Sequence, residues 1–345
     1  MKSRHSLAAD SSGLRQLGSE TLLPIGLGCM NLSHAYGVPP SREQAKRVLL
    51  RAIDLGITHF DSAALYGFGR NEALVGPILK PYRDNIVLVS KGGMRGENGV
   101  RTIDGKPEKL REDLEASLRR LQTDTIDLYY LHRYDKVTPI EDSVGALSRF
   151  VDQGKIRAIG LSEVSADTLR KAHSVHPVTA VQSEYSLWSR NVEVAVLAAC
   201  VDLDVAFVAF SPLARGFLTS VDLVPDEFAE KDIRRGMPRF QEPHFSTNRE
   251  WLPKFREIAA RAGCSPAQLA LAWVLGQGNN VHVIPGTTSV EHLEDNVAAA
   301  GIQLSGAVME EVASLVSPAT VSGARYPTAT QAEIDTELLQ EEGVA

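Results

Sequence analysis

The chain has 345 residues, 43% apolar and 23% charged, the composition of an ordinary globular protein. Its 36 Lys and Arg against 43 Asp and Glu leave a net charge of −7, which excludes the basic surplus a nucleic-acid binder sets against phosphates. Three scattered cysteines, Cys29, Cys200 and Cys264, form no CxxC or Cys/His cluster, so neither a metal site nor a disulfide framework is expected.

The N-terminal segment 1–13 is polar and lacks the apolar core of a signal peptide. No apolar run reaches the roughly 18–20 residues that span a bilayer, so a cytoplasmic protein without a membrane partner is expected. Downstream, apolar runs alternate with amphipathic stretches. LLPIGLGCM (22–30) precedes SREQAKRVLLRAIDLG (41–56), where Ser41 suits a helix N-cap and Gly56 a helix stop. THFD (58–61) reads as a strand, followed by a helix around NEALVGPIL. DNIVLVSK (84–91) is the next strand and PEKLREDLEASLRRL (107–121) the next helix, with Pro107 in its first turn. DLYYLH (127–132) is a strand and IEDSVGALSRFVDQG (140–154) a helix. KIRAIGLSE (155–163), TAVQSEY (179–185), VAFVAFSP (205–212) and VHVIPGTT (281–288) complete the strands, the last leading into helix SVEHLEDNVAAA.

About eight strand–helix units imply an α/β fold with a parallel sheet and helices outside it. The expected architecture is a single-domain (β/α)8 TIM barrel with a core of about 14–315, the polar segment 1–13 before it and an extension 316–345 after it. An open doubly wound sheet is the alternative, weakened because no GxGxxG follows an early strand. The long connection 211–250 is expected to be a lid or disordered. The extension carries Glu333, Asp335, Glu337, Glu341 and Glu342 against Arg325, and is expected as a short helix or loop packed beside the barrel.

The ionisable residues fall at strand ends. Asp61 ends THFD, Lys91 ends IVLVSK and His132 ends DLYYLH. These are successive strands, hence neighbours, and the three residues share the C-terminal mouth where barrel enzymes work. Tyr66 lies five residues beyond Asp61 in a loop with Gly67 and Gly69, which lets it fold back over that mouth. Singly, each has a plain reading: a turn or cap for Asp61, a solvated ammonium for Lys91, a structural imidazole for His132, packing for Tyr66. Jointly they make a device. The Asp holds the Lys charged, and the ammonium lowers the Tyr pKa from about 10. The imidazole orients a carbonyl oxygen. Such a Tyr gives a proton to an oxygen gaining negative charge, as carbonyl reduction by hydride requires.

GITHFDSAALYGFGRNEALVG, VLVSKGG and IDLYYLHR resemble, in order, the signatures of the aldo-keto reductase superfamily. GLSEVSADTLRKAHSVHPVTAVQSEYSLWSR (160–190) is similar to the perakine-reductase-like branch, near the potassium-channel β-subunit-like reductases. The resemblance implies NAD(P)H-dependent reduction of a small-molecule aldehyde or ketone, without metal. It gives Tyr66 as general acid, Lys91 as the residue that tunes it, Asp61 as the carboxylate that holds Lys91, and His132 as the orienting group. Ser162 and Gln182 match the residues that grip the nicotinamide amide, with Glu163 where the family usually has Asn. A carboxylate there accepts from the carboxamide NH2 but cannot donate to its oxygen.

Phe210 matches the aromatic that stacks on the nicotinamide, barrel core being the alternative. Ser211, Leu213, Arg215 and Gly216 match the pyrophosphate loop, with Arg215 either its charge partner or a solvated side chain. Gly286 and Thr287 open a helix whose N-terminus suits an anion, and Asp295 and Asn296 match the adenine contacts. Residues 288–292 hold no Lys or Arg for a 2′-phosphate and include Glu291, so NADPH is the first expectation and NADH stays open. Met30, Trp188 and Phe217 are the substrate-facing candidates, implying an apolar or ring-bearing carbonyl; for Trp188 packing beneath a loop fits equally. Two other functions fit the residues: a Schiff-base barrel enzyme using Lys91, and a redox-sensing regulatory subunit with slow turnover. The oligomeric state is unknown.

Overall fold

The structure, a computed structural model, describes residues 13–97 and 100–339. Most of the polar segment 1–13, and Glu341 and Glu342 of the acidic tail, lie outside the described residues. Eight parallel strands follow one another in spatial order: β1 Leu27–Gly28, β2 His59–Asp61, β3 Val87–Gly92, β4 Ile126–Leu131, β5 Ile156–Ser162, β6 Ala180–Glu184, β7 Ala206–Phe210 and β8 Val281–Val283. A parallel bridge between Ile25 and Val283 closes the ring, with Val283 N donating to Pro24 O at 2.8 Å and Gly26 N to Val283 O at 2.9 Å. The sheet is a (β/α)8 barrel, as the alternation implied, and the open-sheet alternative is excluded.

The helices pack outside. α1 (Arg42–Asp54) starts at Ser41, whose hydroxyl accepts from Gln44 N at 3.2 Å. α2 (Arg70–Leu79), α3 (Pro107–Leu121), α4 (Ile140–Asp152), α5 (Ala166–Val175) and α6 (Val196–Asp202) follow their strands in turn. α7 (His244–Arg249), α8 (Leu252–Arg261) and α9 (Pro266–Leu275) lie between β7 and β8, and α10 (Val290–Ala298) after β8. α11 (Gly306–Leu315) and α12 (Thr328–Gln331) complete the helices. The large core sits between sheet and helices, and a smaller one of Val87, Val89, Leu128, Tyr130, Ala180 and Val208 fills the barrel.

Strand alternation sets which side chains share that interior. Val87 and Val89 point inward on β3, so Lys91 does too; Leu128 and Tyr130 on β4 carry the same parity to His132. On β5 the inward Ala158 gives Ser162 the inward face; Glu163, one residue past the strand at φ of 54°, leaves that alternation. The packing is tight: a Cβ at Gly160 would stand 2.3 Å from the Tyr130 ring.

Four features differ from the sequence expectations. Residues 22–30 contribute only the two-residue β1, because Glu20–Leu22 instead pairs antiparallel with Arg15–Leu17 in a hairpin under the barrel floor. A second hairpin, Met94–Glu97 with Val100–Ile103, rises from the end of β3. The connection 211–250 is ordered, as a chain of 3-10 turns running into α7. The C-terminal extension does not lie beside the barrel: Tyr326, Pro327, Thr330 and Glu333 line the cavity at its mouth. Its acidic residues have defined work there. Asp335 accepts from Ser165 N at 3.0 Å and Glu337 from Ala166 N at 2.7 Å, satisfying the free amides that open α5.

Candidate active site

A cavity of about 650 Å³ opens at the C-terminal mouth. Asp61, the last residue of β2, and Lys91, in the last turn of β3, meet at its base: Lys91 Nζ lies 2.5 Å from Asp61 Oδ1 and also donates to Ser62 O at 2.9 Å. The third direction of the ammonium is the Tyr66 hydroxyl, 3.2 Å away. Gly67 and Gly69 adopt φ of 58° and 85°, left-handed values that turn the loop leaving β2 back over the strand ends. The Tyr66 ring stands edge-on to the His132 ring, centroids 5.9 Å apart at 84°. The four residues assembled from strand ends are therefore one contiguous group.

Burial acts to strip the Lys91 proton, but Asp61 and Tyr66 outweigh it and its pKa rises, so the ammonium is held. Tyr66 departs from expectation. Burial raises its pKa by more than Lys91 lowers it, with Asp61 adding to the rise, so the phenol is kept protonated rather than loosened. Burial, then the charges of Arg133 and Lys91, push His132 well below the usual imidazole range, leaving it neutral. Its Nδ1 is buried without a hydrogen bond.

Around this group, Ser162 Oγ accepts from Arg133 Nη1 at 3.0 Å, which leaves the hydroxyl proton free to donate. Gln182 Nε2 donates to Asp61 Oδ2 at 2.8 Å, tying β6 to the same carboxylate. Phe210, Ser211, Leu213, Arg215 and Gly216 line the cavity on one side, and Gly286, Thr287, Asp295 and Asn296 continue it. Phe210 is partly buried, packed against the barrel-interior cluster while also lining the cavity. Asp295 accepts from Ser265 Oγ and Gln268 Nε2, both at 2.8 Å.

Three expected contacts take another form. Glu163 does not line the cavity: one residue past β5, its carboxylate pairs with Arg325, accepts from Thr336 Oγ1 at 2.6 Å and from Glu184 N at 2.8 Å. Arg215 is neither solvated nor free for a phosphate. Its guanidinium lies 2.6 Å from Glu184 Oε2 and donates to the hydroxyls of Tyr36 at 3.0 Å and Tyr326 at 3.2 Å. Trp188 and Phe217 stack on each other, centroids 4.6 Å apart, in a buried aromatic cluster with Phe240, Phe245 and Trp251 that anchors the 211–250 connection. Of the substrate-facing candidates, Met30 alone lines the cavity.

The cavity also holds residues the sequence reading passed over: His34, whose ring lies 5.9 Å from that of Tyr66, and Tyr36, Arg101, Arg133, Arg234 and Tyr326. For Arg133 a signal existed, since it directly follows the strand-end His132. The others come from loops whose path the sequence pattern does not set. Among the described residues no single helix is long and apolar enough to cross a membrane.

Residues 24–317 match the aldo/keto reductase family. The chain is 43% identical over 327 residues to aldo-keto reductase yakc of Schizosaccharomyces pombe, whose name carries NADP(+), covering 93% of this chain and 96% of that one. Its structure is similar to that of a glycerol dehydrogenase from Gluconobacter oxydans, with a TM-score of 0.81 at 27% identity, over 90% of this chain and 97% of the other. It is also similar to an aldo/keto reductase from Klebsiella pneumoniae in complex with NADP and acetate, with a TM-score of 0.67 at 29% identity, over 89% and 95%. The chain belongs to the aldo/keto reductase family and is an oxidoreductase.

Proposed function

We propose that the protein reduces an aldehyde or ketone with NADPH, Tyr66 giving the proton to the carbonyl oxygen. One observation carries this reading: a single buried ammonium, Lys91 Nζ, lies 2.5 Å from Asp61 and 3.2 Å from the Tyr66 hydroxyl at the base of a mouth-side cavity. As Tyr66 gives up its proton, the fixed positive charge beside it stabilises the phenolate with no reorganisation. The neutral His132 beside it donates a hydrogen bond to the same oxygen and holds the carbonyl in place. Lys91 held as an ammonium is the opposite of the free amine a Schiff base requires.

The cavity fits a dinucleotide. At one end Ser162 offers a free hydroxyl proton and Gln182 an amide oxygen, and Phe210 offers a flat face. At the other, Gly286 lines the cavity and packs closely on β1 and the turn after it, where a Cβ would stand 2.9 Å from Asn31 Oδ1 and 3.0 Å from Gly28 O. When bound, the reduced nicotinamide supplies hydride to the carbonyl carbon. Without Lys or Arg in residues 288–292, a 2′-phosphate would rest on the N-terminus of α10, so the margin of NADPH over NADH is expected to be modest.

The test is 4-nitrobenzaldehyde with NADPH and NADH in parallel, followed by nicotinamide absorbance. Turnover with NADPH is expected, and Tyr66→Phe should lower kcat by about 10²-fold or more. An unchanged kcat in that variant would remove Tyr66 from the mechanism.

A further inference from the structure

Four arginines line the cavity, and three are neutralised. Arg101 pairs with Glu333, Arg215 with Glu184 at 2.6 Å, and Arg234 with Asp232 at 2.8 Å. Arg133 is different. Its Nη1 donates to two neutral oxygens, His132 O at 2.7 Å and Ser162 Oγ at 3.0 Å, and among the described residues no carboxylate comes within ion-pair distance. Its Nε and Nη2 make no hydrogen bond to the described residues, leaving one edge of the guanidinium unused. The carboxylates on the cavity wall do not supply the deficit. Asp61 is held by Lys91, Glu333 by Arg101, and Asp295 lies at the far end on Ser265 and Gln268.

The unpaired charge sits beside the reacting group. Arg133 directly follows His132 and holds Ser162, and its charge lowers the pKa of both His132 and Tyr66. A partly buried cation kept without a counter-charge costs stability unless something else supplies the anion. We infer that the substrate supplies it: Arg133 docks a carboxylate carried by the carbonyl compound, so the preferred substrates are aldehyde or keto acids rather than neutral carbonyls. A carboxylate, with two oxygens in one plane, matches the free Nε/Nη2 edge in a bidentate pair. This rests on the reductase reading above and moves substrate selection from Trp188 and Phe217, both of which are buried elsewhere, to Arg133 in an otherwise largely apolar cavity.

Two arms test it. In the first, 4-carboxybenzaldehyde is compared with its methyl ester, and succinic semialdehyde with its methyl ester, each with NADPH. The acid should be favoured by tenfold or more in kcat/KM. Arg133→Gln should erase that preference by raising KM for the acid, lowering its kcat/KM tenfold or more beyond any loss the variant causes with the ester, and Arg133→Lys should restore part of it. Equal kcat/KM for acid and ester, or an Arg133→Gln loss of equal size for both, would overturn the inference. The second arm needs no turnover: benzoate and benzamide are titrated against the NADP+-loaded protein by calorimetry. Benzoate should bind at least tenfold tighter, and only while position 133 is cationic; equal binding would refute the docking role even if every aldehyde is reduced. Failure of all aldehydes to turn over, with benzoate still selected, would instead remove the reductase reading and leave the anion site standing.

Discussion

Strand β2 is three residues long and buries an ionisable side chain at each end, Asp61 toward the mouth and His59 toward the floor. The two ends treat buried charge in opposite ways. At the mouth, the neutral His132 apart, buried carboxylates keep their charge and are paired: Asp61 with Lys91, Glu184 with Arg215 and Arg325, Glu163 with Arg325. At the floor it is given up. Both His59 ring nitrogens lack a partner, and burial pushes that imidazole down to about 3. Burial pushes His282 down to about 4, and its Nε2 lies 3.0 Å from Gln16 O, so the neutral ring carries its proton there. Ion pairs are retained around the cavity, and the packed end behind the N-terminal hairpin does without.

The largest break in that contrast is Lys91→Met, which strands Asp61 as an unpaired buried charge. It should cost roughly 3–5 kcal/mol of unfolding free energy by denaturant titration. Adding Asp61→Asn should return most of the stability but none of the reductase activity, because the charge beside Tyr66 is still missing. Next comes Arg325→Met, which leaves the Glu163 carboxylate without a cation and Glu184 to Arg215 alone. Because the C-terminal strap can lift and admit water, the expected cost is smaller, about 2 kcal/mol, with faster proteolysis of residues 316–339.

The smallest effect near neutrality belongs to the floor. His59 and His282 have folded-state pKa values depressed below 6.5, so the unfolded chain binds more protons and stability falls as pH drops from 6.5 toward 4. The slope is roughly 1.4 kcal/mol per pH unit for each histidine. His282→Gln should remove one histidine's share of it. The mouth answers in a lower window. Burial raises the Glu184 pKa, but Arg215 and Arg325 outweigh it and hold the carboxyl down to about 2. Its contribution is therefore present above 4.5 and lost as pH falls toward 2. A slope unchanged by His282→Gln between pH 6.5 and 4 would break the contrast.

The barrel and the group at its mouth were legible because both follow from a local period. Alternation within a strand puts Lys91 and His132 on the inner face, and strand order makes them neighbours, so spacing alone places them beside Asp61. Glu163 escapes that rule: it stands one residue past β5 at φ of 54°, a turn that the period does not set. The N-terminal hairpin could have been found from its two-residue Gly18–Ser19 turn, where Gly18 has φ of 60°. The Glu163–Arg325–Glu184–Arg215 network could not. Its members come from β5, the strap, β6 and the loop after β7, and no period links them. The unpaired state of Arg133 is of the same kind, since it depends on where every other carboxylate ends up.

The strap also sets an order of events. Arg325 and Thr336, which close on Glu163, are synthesised after every barrel strand. During translation the barrel can therefore form while Glu163 and Glu184 still face water at an open rim. Closing the rim is a late docking step, separable in time from assembly of Asp61, Lys91 and Tyr66. A nascent chain would acquire the Asp61–Lys91–Tyr66 group before it acquires the wall over it.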